Sequence, residues 1–119
     1  MAEPEPSLAA EQYSYLTTTG RSSSEPRETE LWFGLEGSTV YLLSGMQERS
    51  NWVRNLIADP AVAVTIGSQR FEGRARIVDD PDEDALARRL LLDKYAKGYS
   101  GDLTDYEQNA LPVAIEIKG

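Results

Sequence analysis

The residues best suited to hold a charged ligand lie in one polar segment, residues 20–27, which reads Gly-Arg-Ser-Ser-Ser-Glu-Pro-Arg. It places three serine hydroxyls between the guanidinium groups of Arg21 and Arg27. Both kinds of group donate hydrogen bonds to phosphate and carboxylate oxygens. No glycine-rich phosphate-binding pattern accompanies them, and a solvated surface loop explains the same composition. The segment therefore indicates an anion site only in combination with other features.

A second polar group occurs where a predicted strand is followed by a predicted helix. Ser44 ends the strand, Gly45 permits a bend, and the start of the helix offers backbone N–H groups that favour an anion. Arg49 adds a guanidinium at that end, and Asn51 and Asn55 share one helix face because they are four residues apart. An anion-binding junction and a plain core role for Trp52 explain this segment equally well.

Aromatic side chains could provide flat surfaces for a planar ligand. Tyr95, Tyr99 and Tyr106 lie in and just after a long predicted helix, and each combines an apolar ring with a hydroxyl group. Packing at the edge of the domain explains them equally well. Trp52 lies beside the proposed anion site, although most tryptophans of small domains belong to the core.

Cysteine and histidine are both absent from the 119 residues. This absence excludes disulfides, thiolate nucleophiles, zinc sites built from these residues and the Ser-His-Asp triad. The acidic run at residues 79–84 lacks the spacing of a calcium loop and is typical of helix capping. We therefore expect no metal, and any reaction must depend on other polar groups or on a bound cofactor.

The net charge of −8 argues against nucleic acid as a partner, because binding to a phosphate backbone normally needs a basic face. No apolar run approaches the roughly 20 residues of a membrane-spanning helix, so we expect no integral membrane segment. The first residues resemble no export signal, which favours a cytoplasmic location. Residues 1–12 are predicted to form a flexible leader, and residues 13–119 a single domain.

Alternating and β-branched segments predict six strands, and helical spacing predicts two main helices. The strands are expected at residues 13–19, 26–35, 39–44, 61–66, 71–78 and 112–117. The first helix follows Ser50 and ends at Asp59-Pro60, and its apolar residues are Trp52, Val53, Leu56 and Ile57. The second helix begins at Pro81 after the cap Asp80, and Glu83 follows three residues after that cap. It extends to about Lys97, before Gly98. Its core-facing residues are predicted to be Leu86, Leu90 and Leu91.

This order of elements favours a small antiparallel barrel over a parallel sheet, because strands and helices do not alternate. Closing the sheet also removes exposed strand edges. The predicted class is mainly β with α: a six-stranded antiparallel split β-barrel with two main helices.

Several of these segments together resemble one family. They are Leu16-Thr17-Thr18-Thr19-Gly20-Arg21, Pro26-Arg27, Leu31-Trp32-Phe33, Tyr41-Leu42-Leu43-Ser44 and Asn51-Trp52-Val53-Arg54-Asn55-Leu56 followed by Asp59-Pro60. From about Leu16 to Ile117, this order is similar to the deazaflavin-dependent nitroreductases, which use coenzyme F420 and share the split β-barrel of the pyridoxamine-phosphate oxidases. The family loop usually has glycine where this chain has Ser24, and relatives often carry lysine or a second glycine around Gly45 and Met46.

The resemblance implies an F420H2-dependent oxidoreductase that transfers hydride to a small-molecule acceptor: a quinone, a nitroaromatic compound or an enone. The cofactor would carry the hydride, so no catalytic side chain is assigned. The cofactor-binding residues it implies are Arg21, Arg27, Trp32, Ser44, Gly45, Met46, Arg49, Trp52 and Asn55. Ser44, Gly45 and Met46 would lie near the deazaflavin ring, the three arginines near its phosphate and polyglutamate tail, and Tyr95 and Tyr99 on the acceptor side.

Two alternatives remain open at this point. A split barrel that binds FMN would use the same scaffold, and a binder of F420 or flavin without activity would use the same site. A homodimer is possible, since split barrels often pair.

Overall fold

The computed structural model describes residues 6–99 and 101–118, and their strands form one antiparallel sheet. Its seven strands are β1 (Ser14–Thr19), β2 (Pro26–Leu31), β3 (Gly34–Glu36), β4 (Thr39–Ser44), β5 (Ala61–Ile66), β6 (Gln69–Ile77) and β7 (Leu111–Ile117). Their order across the sheet is β2-β1-β5-β6-β7-β4-β3. Every neighbouring pair is antiparallel.

The predicted strand at residues 26–35 is two strands, which corrects the expected count from six to seven. The chain leaves β2 after Leu31 and enters β3 at Gly34, on the opposite edge of the sheet. Alternation could not reveal this break because the pattern continues through it. Gly34 is required there, since an added Cβ would lie 2.9 Å from the Cβ of Leu90 on the long helix.

The short connection between β2 and β3 forces the sheet to curl. A flat sheet of this size would separate its two edge strands by roughly 29 Å, six strand spacings of about 4.8 Å. Only Trp32 and Phe33 join these edges, and three Cα–Cα steps span at most about 11 Å. The sheet therefore closes into a split barrel, which confirms the predicted fold class. We call this connection the seam.

Two apolar clusters lie on the two faces of the curled sheet. The interior contains the fully buried Leu16, Phe33, Val64 and Ile115, and helix α1 (Asn51–Ala58) closes it with Trp52, Val53 and Leu56. Helix α2 (Pro81–Tyr95) covers the outer face of β4 and β7, where a second cluster forms. Its buried members are Tyr41, Leu43, Val78, Ala87, Leu91, Tyr95, Ala110 and Ala114.

The helix boundaries agree closely with the sequence. Helix α1 begins after Ser50 and ends before Asp59, but Ile57 is 56% exposed rather than part of the core. Helix α2 begins at Pro81 after Asp80, and a 3-10 turn, Ala96–Gly98, continues it. A short helix α3 (Thr104–Asn109) precedes β7. None of the helices in the described part of the chain is long and apolar enough to cross a membrane.

Part of the predicted leader lies outside the described residues, and the rest packs on the barrel. Residues 1–5 are not described, whereas Pro6–Ala10 forms a 3-10 turn. Leu8 from this turn is buried in the interior cluster. The carbonyl oxygen of Gln12 lies 2.9 Å from the hydroxyl of Tyr95.

Glu83 attaches helix α2 to the sheet. The Asp80 carboxylate accepts the expected capping bond from the Glu83 N–H at 2.9 Å. The Glu83 carboxylate turns away from the cap and accepts from Arg76 at 2.7 Å and from the Tyr41 hydroxyl at 2.7 Å. These bonds, from Arg76 first and then Tyr41, lower the pKa of Glu83 to about 2.

We expect Glu83→Gln to lower the free energy of unfolding by about 1 kcal/mol at pH 7, because charge-assisted bonds are replaced by weaker ones. The pKa of Glu83 falls from 4.5 to about 2 on folding. The stabilisation is therefore complete above the unfolded pKa and disappears as the pH falls through the folded pKa. Urea unfolding of both proteins at pH 7, 4.5 and 3 measures this, and an equal difference at all three would contradict it.

The Tyr95 hydroxyl holds the seam together. It accepts from the Phe33 N–H at 3.1 Å, and the carbonyl oxygens of Gln12 and Phe33, at 2.9 and 3.2 Å, can take its proton. Phe33 lies between two strands at opposite edges, so it lacks the strand partners that normally satisfy a buried backbone. Tyr95, itself 4% exposed, supplies them.

We therefore expect Tyr95→Phe to lower the free energy of unfolding by about 2 kcal/mol, because a buried N–H loses its acceptor while the ring remains. Tyr99→Phe is the matched control, since Tyr99 is 47% exposed, and it should leave stability unchanged. Chemical denaturation of the two variants gives the comparison. Equal stability of the two would show that the Tyr95 hydroxyl does not secure the seam.

Candidate functional site

A cavity of about 480 Å³ opens between the β1–β2 loop and helix α1. We call it the arginine cavity. Its lining consists of Gly20, Arg21, Ser22, Ser23, Arg27, Thr29, Asn51, Trp52 and Asn55. Four residues of the predicted cofactor set are therefore brought together here: Arg21, Arg27, Trp52 and Asn55.

The β1–β2 loop is a tight turn that is held by hydrogen bonds within the loop. The Gly20 N–H donates to the Glu25 carbonyl at 2.8 Å, and the Ser24 N–H donates to the Gly20 carbonyl at 2.8 Å. A Cβ at Gly20 would lie 2.6 Å from the Ser23 hydroxyl, so only glycine fits without a shift. Ser24 has φ 60°, in the left-handed region that favours glycine.

Arg21 is held by helix α1. Its Nη1 donates to the Asn55 Oδ1 at 2.8 Å, and its Nη2 donates to the Asn51 Oδ1 at 3.2 Å. The backbone N–H of Arg21 also lies 3.3 Å from the Asn55 Oδ1. The polar helix face predicted from the spacing of Asn51 and Asn55 thus serves to fix a guanidinium beside the cavity.

The side chains around the cavity mainly donate hydrogen bonds. Arg27 contacts the Ser23 hydroxyl at 3.4 Å, and within residues 6–99 and 101–118 neither Arg21 nor Arg27 is paired with a carboxylate. Most of their N–H groups, and the hydroxyls of Ser22 and Thr29, therefore remain available to a ligand. Such a set suits the oxygens of a phosphate or carboxylate.

The remaining residues predicted at the β4–α1 junction lie outside this lining. Ser44 is 2% exposed, and its hydroxyl bonds to the Gln47 carbonyl at 2.9 Å and to the Ser50 hydroxyl at 2.8 Å. Met46 is 58% exposed. Arg49 is also exposed, and its Nε lies 3.4 Å from the Met46 carbonyl oxygen. Gly45 is exposed beside this group.

Trp32 lies with the tyrosines rather than with the arginines. It stacks on Tyr95, with centroids 4.3 Å apart and planes 3° from parallel, and meets Tyr99 and Tyr106 edge-on at 5.6 and 5.8 Å. A Cβ at Gly45 would lie 3.9 Å from the Tyr106 ring, so these rings reach the β4–α1 junction. Burial raises the pKa of Tyr106.

A second cavity, of about 380 Å³, opens beside these rings, and we call it the aromatic cavity. Its lining consists of Gln12, Tyr13, Trp32, Lys94, Tyr95, Gly98 and Tyr99. Both tyrosines implied on the acceptor side therefore lie at one cavity. The hydroxyl of Tyr95 is already engaged at the seam, whereas Tyr99 is 47% exposed.

Lys94 was missed by the sequence reasoning. Its Nζ donates to the Phe33 carbonyl at 3.2 Å and lies 3.6 Å from the centroid of the Phe33 ring. Burial lowers the pKa of Lys94 to about 8. A lysine in the last turn of a helix is ordinarily a solvated partner of the helix dipole, so the sequence held no signal for this position.

In the described part of the chain, no group of three or more acidic, histidine or cysteine side chains is placed to hold a metal ion. The site is thus defined by a donor-rich cavity and an aromatic cavity on a split barrel. These features define a class: split-barrel proteins with a cavity suited to an anionic ligand.

Comparison with known proteins identifies the family within this class. The family model described as F420H(2)-dependent quinone reductase matches residues 7–118. The F420H(2)-dependent quinone reductase of Mycobacterium tuberculosis is 36% identical over 107 residues, covering 86% of this chain and 69% of that protein. The chain belongs to the F420H(2)-dependent quinone reductase family, which confirms the resemblance found in the sequence.

Solved structures agree on the fold. An F420 reductase superimposes with a TM-score of 0.69 at 22% identity, covering 98% of this chain and 96% of that protein. An F420-H2 dependent reductase gives a TM-score of 0.70 at 22% identity, covering 90% of this chain and 94% of that protein. At this level of identity, these structures show the shared fold alone.

The lowered pKa of Lys94 can be measured directly. We expect its side-chain ¹³Cε resonance to titrate with a midpoint near 8, because burial disfavours the ammonium form. Lys94→Met should remove this transition, while Lys97→Met, which changes an exposed neighbour, should retain it. A Lys94 midpoint at the ordinary lysine value would contradict the half-buried position.

Proposed function

We propose that this protein is an F420H2-dependent oxidoreductase that reduces a quinone, a nitroaromatic compound or an enone. The observation that carries the proposal is the donor-rich arginine cavity, in a chain of this family. Coenzyme F420 combines a planar ring system with a phosphate and a polyglutamate tail. A volume of about 480 Å³ lies within the range of small-molecule sites, and the two arginines fit an anionic group.

Arg21 and Arg27 would bind the phosphate, and the hydroxyls of Ser22 and Ser23 would complete its hydrogen bonds. Trp52, Ser44, Gly45 and Met46 would hold the ring, as the family resemblance implies. Arg49, which is exposed, would bind a carboxylate of the tail. These assignments follow the family resemblance, and the positions of Arg21 and Arg27 at one cavity support them.

The acceptor would bind at the aromatic cavity. Tyr99 and Trp32 offer ring faces and edges to a planar acceptor, and Tyr95 supports the Trp32 ring by stacking on it. Lys94 adds a cation beside these rings, which would favour acceptors with electron-rich oxygens. Tyr106 meets Trp32 of this cavity edge-on and also lies beside Gly45, where the family resemblance places the ring.

When bound, the reduced deazaflavin supplies the hydride, and the chain's part is to bind, orient and exclude water. Arg21 and Arg27 would contact a part of the cofactor that does not react, so they would contribute equally to the ground and transition states. The buried Ser44 hydroxyl keeps the β4–α1 junction closed through its bond to Ser50. Lys94 holds the seam carbonyl of Phe33 in place.

We also propose a cytoplasmic location. An FMN-binding barrel and a binder without activity are the competing functions. Titration of the purified protein with F420 and with FMN, followed by fluorescence, distinguishes the proposed F420-dependent enzyme from an FMN-binding barrel. Steady oxidation of F420H2 with menadione would exclude the binder without activity, and binding of FMN alone would overturn the proposal.

Arginine variants test the arginine cavity. We expect Arg21→Ala and Arg27→Ala each to raise the Kd for F420 at least about ten-fold, since a charge-assisted bond to phosphate is worth about 1.5–3 kcal/mol. The value of kcat at saturating cofactor should change less, because these contacts are remote from the reacting atoms. Arg54→Ala is the matched control, since Arg54 is exposed on helix α1 outside the cavity. Equal effects of all three variants would show only a general loss of positive charge.

Arg49 is tested in the same way. Arg49→Ala should weaken F420 binding more than it changes turnover, because a contact with the tail acts on binding alone. An unchanged Kd would remove Arg49 from the site.

A further inference from the structure

We propose that Asn55 is a positioning residue that acts on the cofactor through Arg21 rather than by direct contact. This inference rests on the proposed function. It concerns a side chain that is 4% exposed, while the guanidinium it holds belongs to an exposed residue. Asn55 therefore links the buried interior to an exposed donor.

The orientation of the Asn55 amide follows from its neighbours. Arg21 has only hydrogen-bond donors, so the Asn55 atom that faces its backbone N–H and its Nη1 must be the carbonyl Oδ1. The Nδ2 then points to the Thr18 Oγ1 at 3.2 Å, where the hydroxyl can accept. Thr18 is 2% exposed in strand β1.

In this arrangement the Asn55 Oδ1 has no lone pair left to accept a hydrogen bond from a ligand. The Oδ1 has two lone pairs and receives two N–H groups, both from Arg21. A phosphodiester or carboxylate group offers only acceptors, so it gains nothing from this oxygen. Asn55 is thus placed to fix the start of the loop and the direction of the guanidinium at the same time.

The physical benefit is preorganisation. A free arginine side chain samples many rotamers, and ordering it on binding costs affinity. Asn55 removes part of this freedom before the ligand arrives. It does so without a negative charge, whereas an aspartate in the same place would neutralise Arg21 and weaken its attraction for an anion.

The first test uses the free protein. In ¹⁵N NMR spectra, the Arg21 side-chain N–H groups should show restricted rotation in the wild type and free rotation in Asn55→Leu. Leucine has a similar volume and no acceptor. Because no cofactor is present, this result does not depend on the proposed function. Identical Arg21 signals in both proteins would overturn the positioning role.

The second test is a double-mutant cycle on F420 affinity. We expect Asn55→Leu to raise the Kd about five-fold in the wild type and to have no effect in the Arg21→Ala background. An equal loss in both backgrounds would show that Asn55 acts independently of Arg21, by direct contact or through the fold. If the wild type fails to bind F420 at all, the proposed function fails, and the NMR result still decides the positioning role.

A third variant guards against poor folding of the leucine protein. Asn55→Asp keeps the acceptor oxygens, so thermal unfolding should remain close to that of the wild type. Its Kd for F420 should rise, and the dependence of that Kd on salt should become weaker, because the Arg21 charge is neutralised. Unchanged affinity and salt dependence in Asn55→Asp would contradict the proposal.

Discussion

The fold depends on one covalent constraint: two residues must join the opposite edges of a seven-stranded sheet. Because Trp32 and Phe33 span so little distance, the sheet has to curl until β2 and β3 approach. The interior then fills with aliphatic side chains and Phe33. The backbone of Phe33 cannot pair as it would inside a strand, and this local deficit requires help from another element.

Helix α2 supplies the missing hydrogen bonds, and the same end of the helix contributes to the proposed acceptor site. The Tyr95 hydroxyl bonds to both the N–H and the carbonyl of Phe33, and the Lys94 ammonium donates to the same carbonyl. The end of helix α2 therefore holds the seam closed. Trp32, the other seam residue, is stacked on Tyr95 and forms a wall of the aromatic cavity. The residues that hold the barrel closed therefore also shape the surface on which a planar acceptor would bind.

The arginine cavity lies at the other end of strand β2, away from the seam. Strand β1 and the tight loop bring Arg21 to helix α1, where Asn51 and Asn55 hold it. A chain without cysteine or histidine has few side chains able to carry redox or acid–base chemistry. Its contribution is a set of oriented donors, which agrees with a family named for the cofactor it uses.

The sequence by itself determined most of the elements, the split barrel and the family, because periodicity, caps and short segments are local. It also indicated the polar face of Asn51 and Asn55. Only the tertiary structure decided that residues 26–35 form two strands, that Trp32 joins the tyrosines, that Ser44 is buried and that Lys94 lies on the Phe33 ring. Each of these depends on contacts between residues far apart in the chain, which no local pattern encodes.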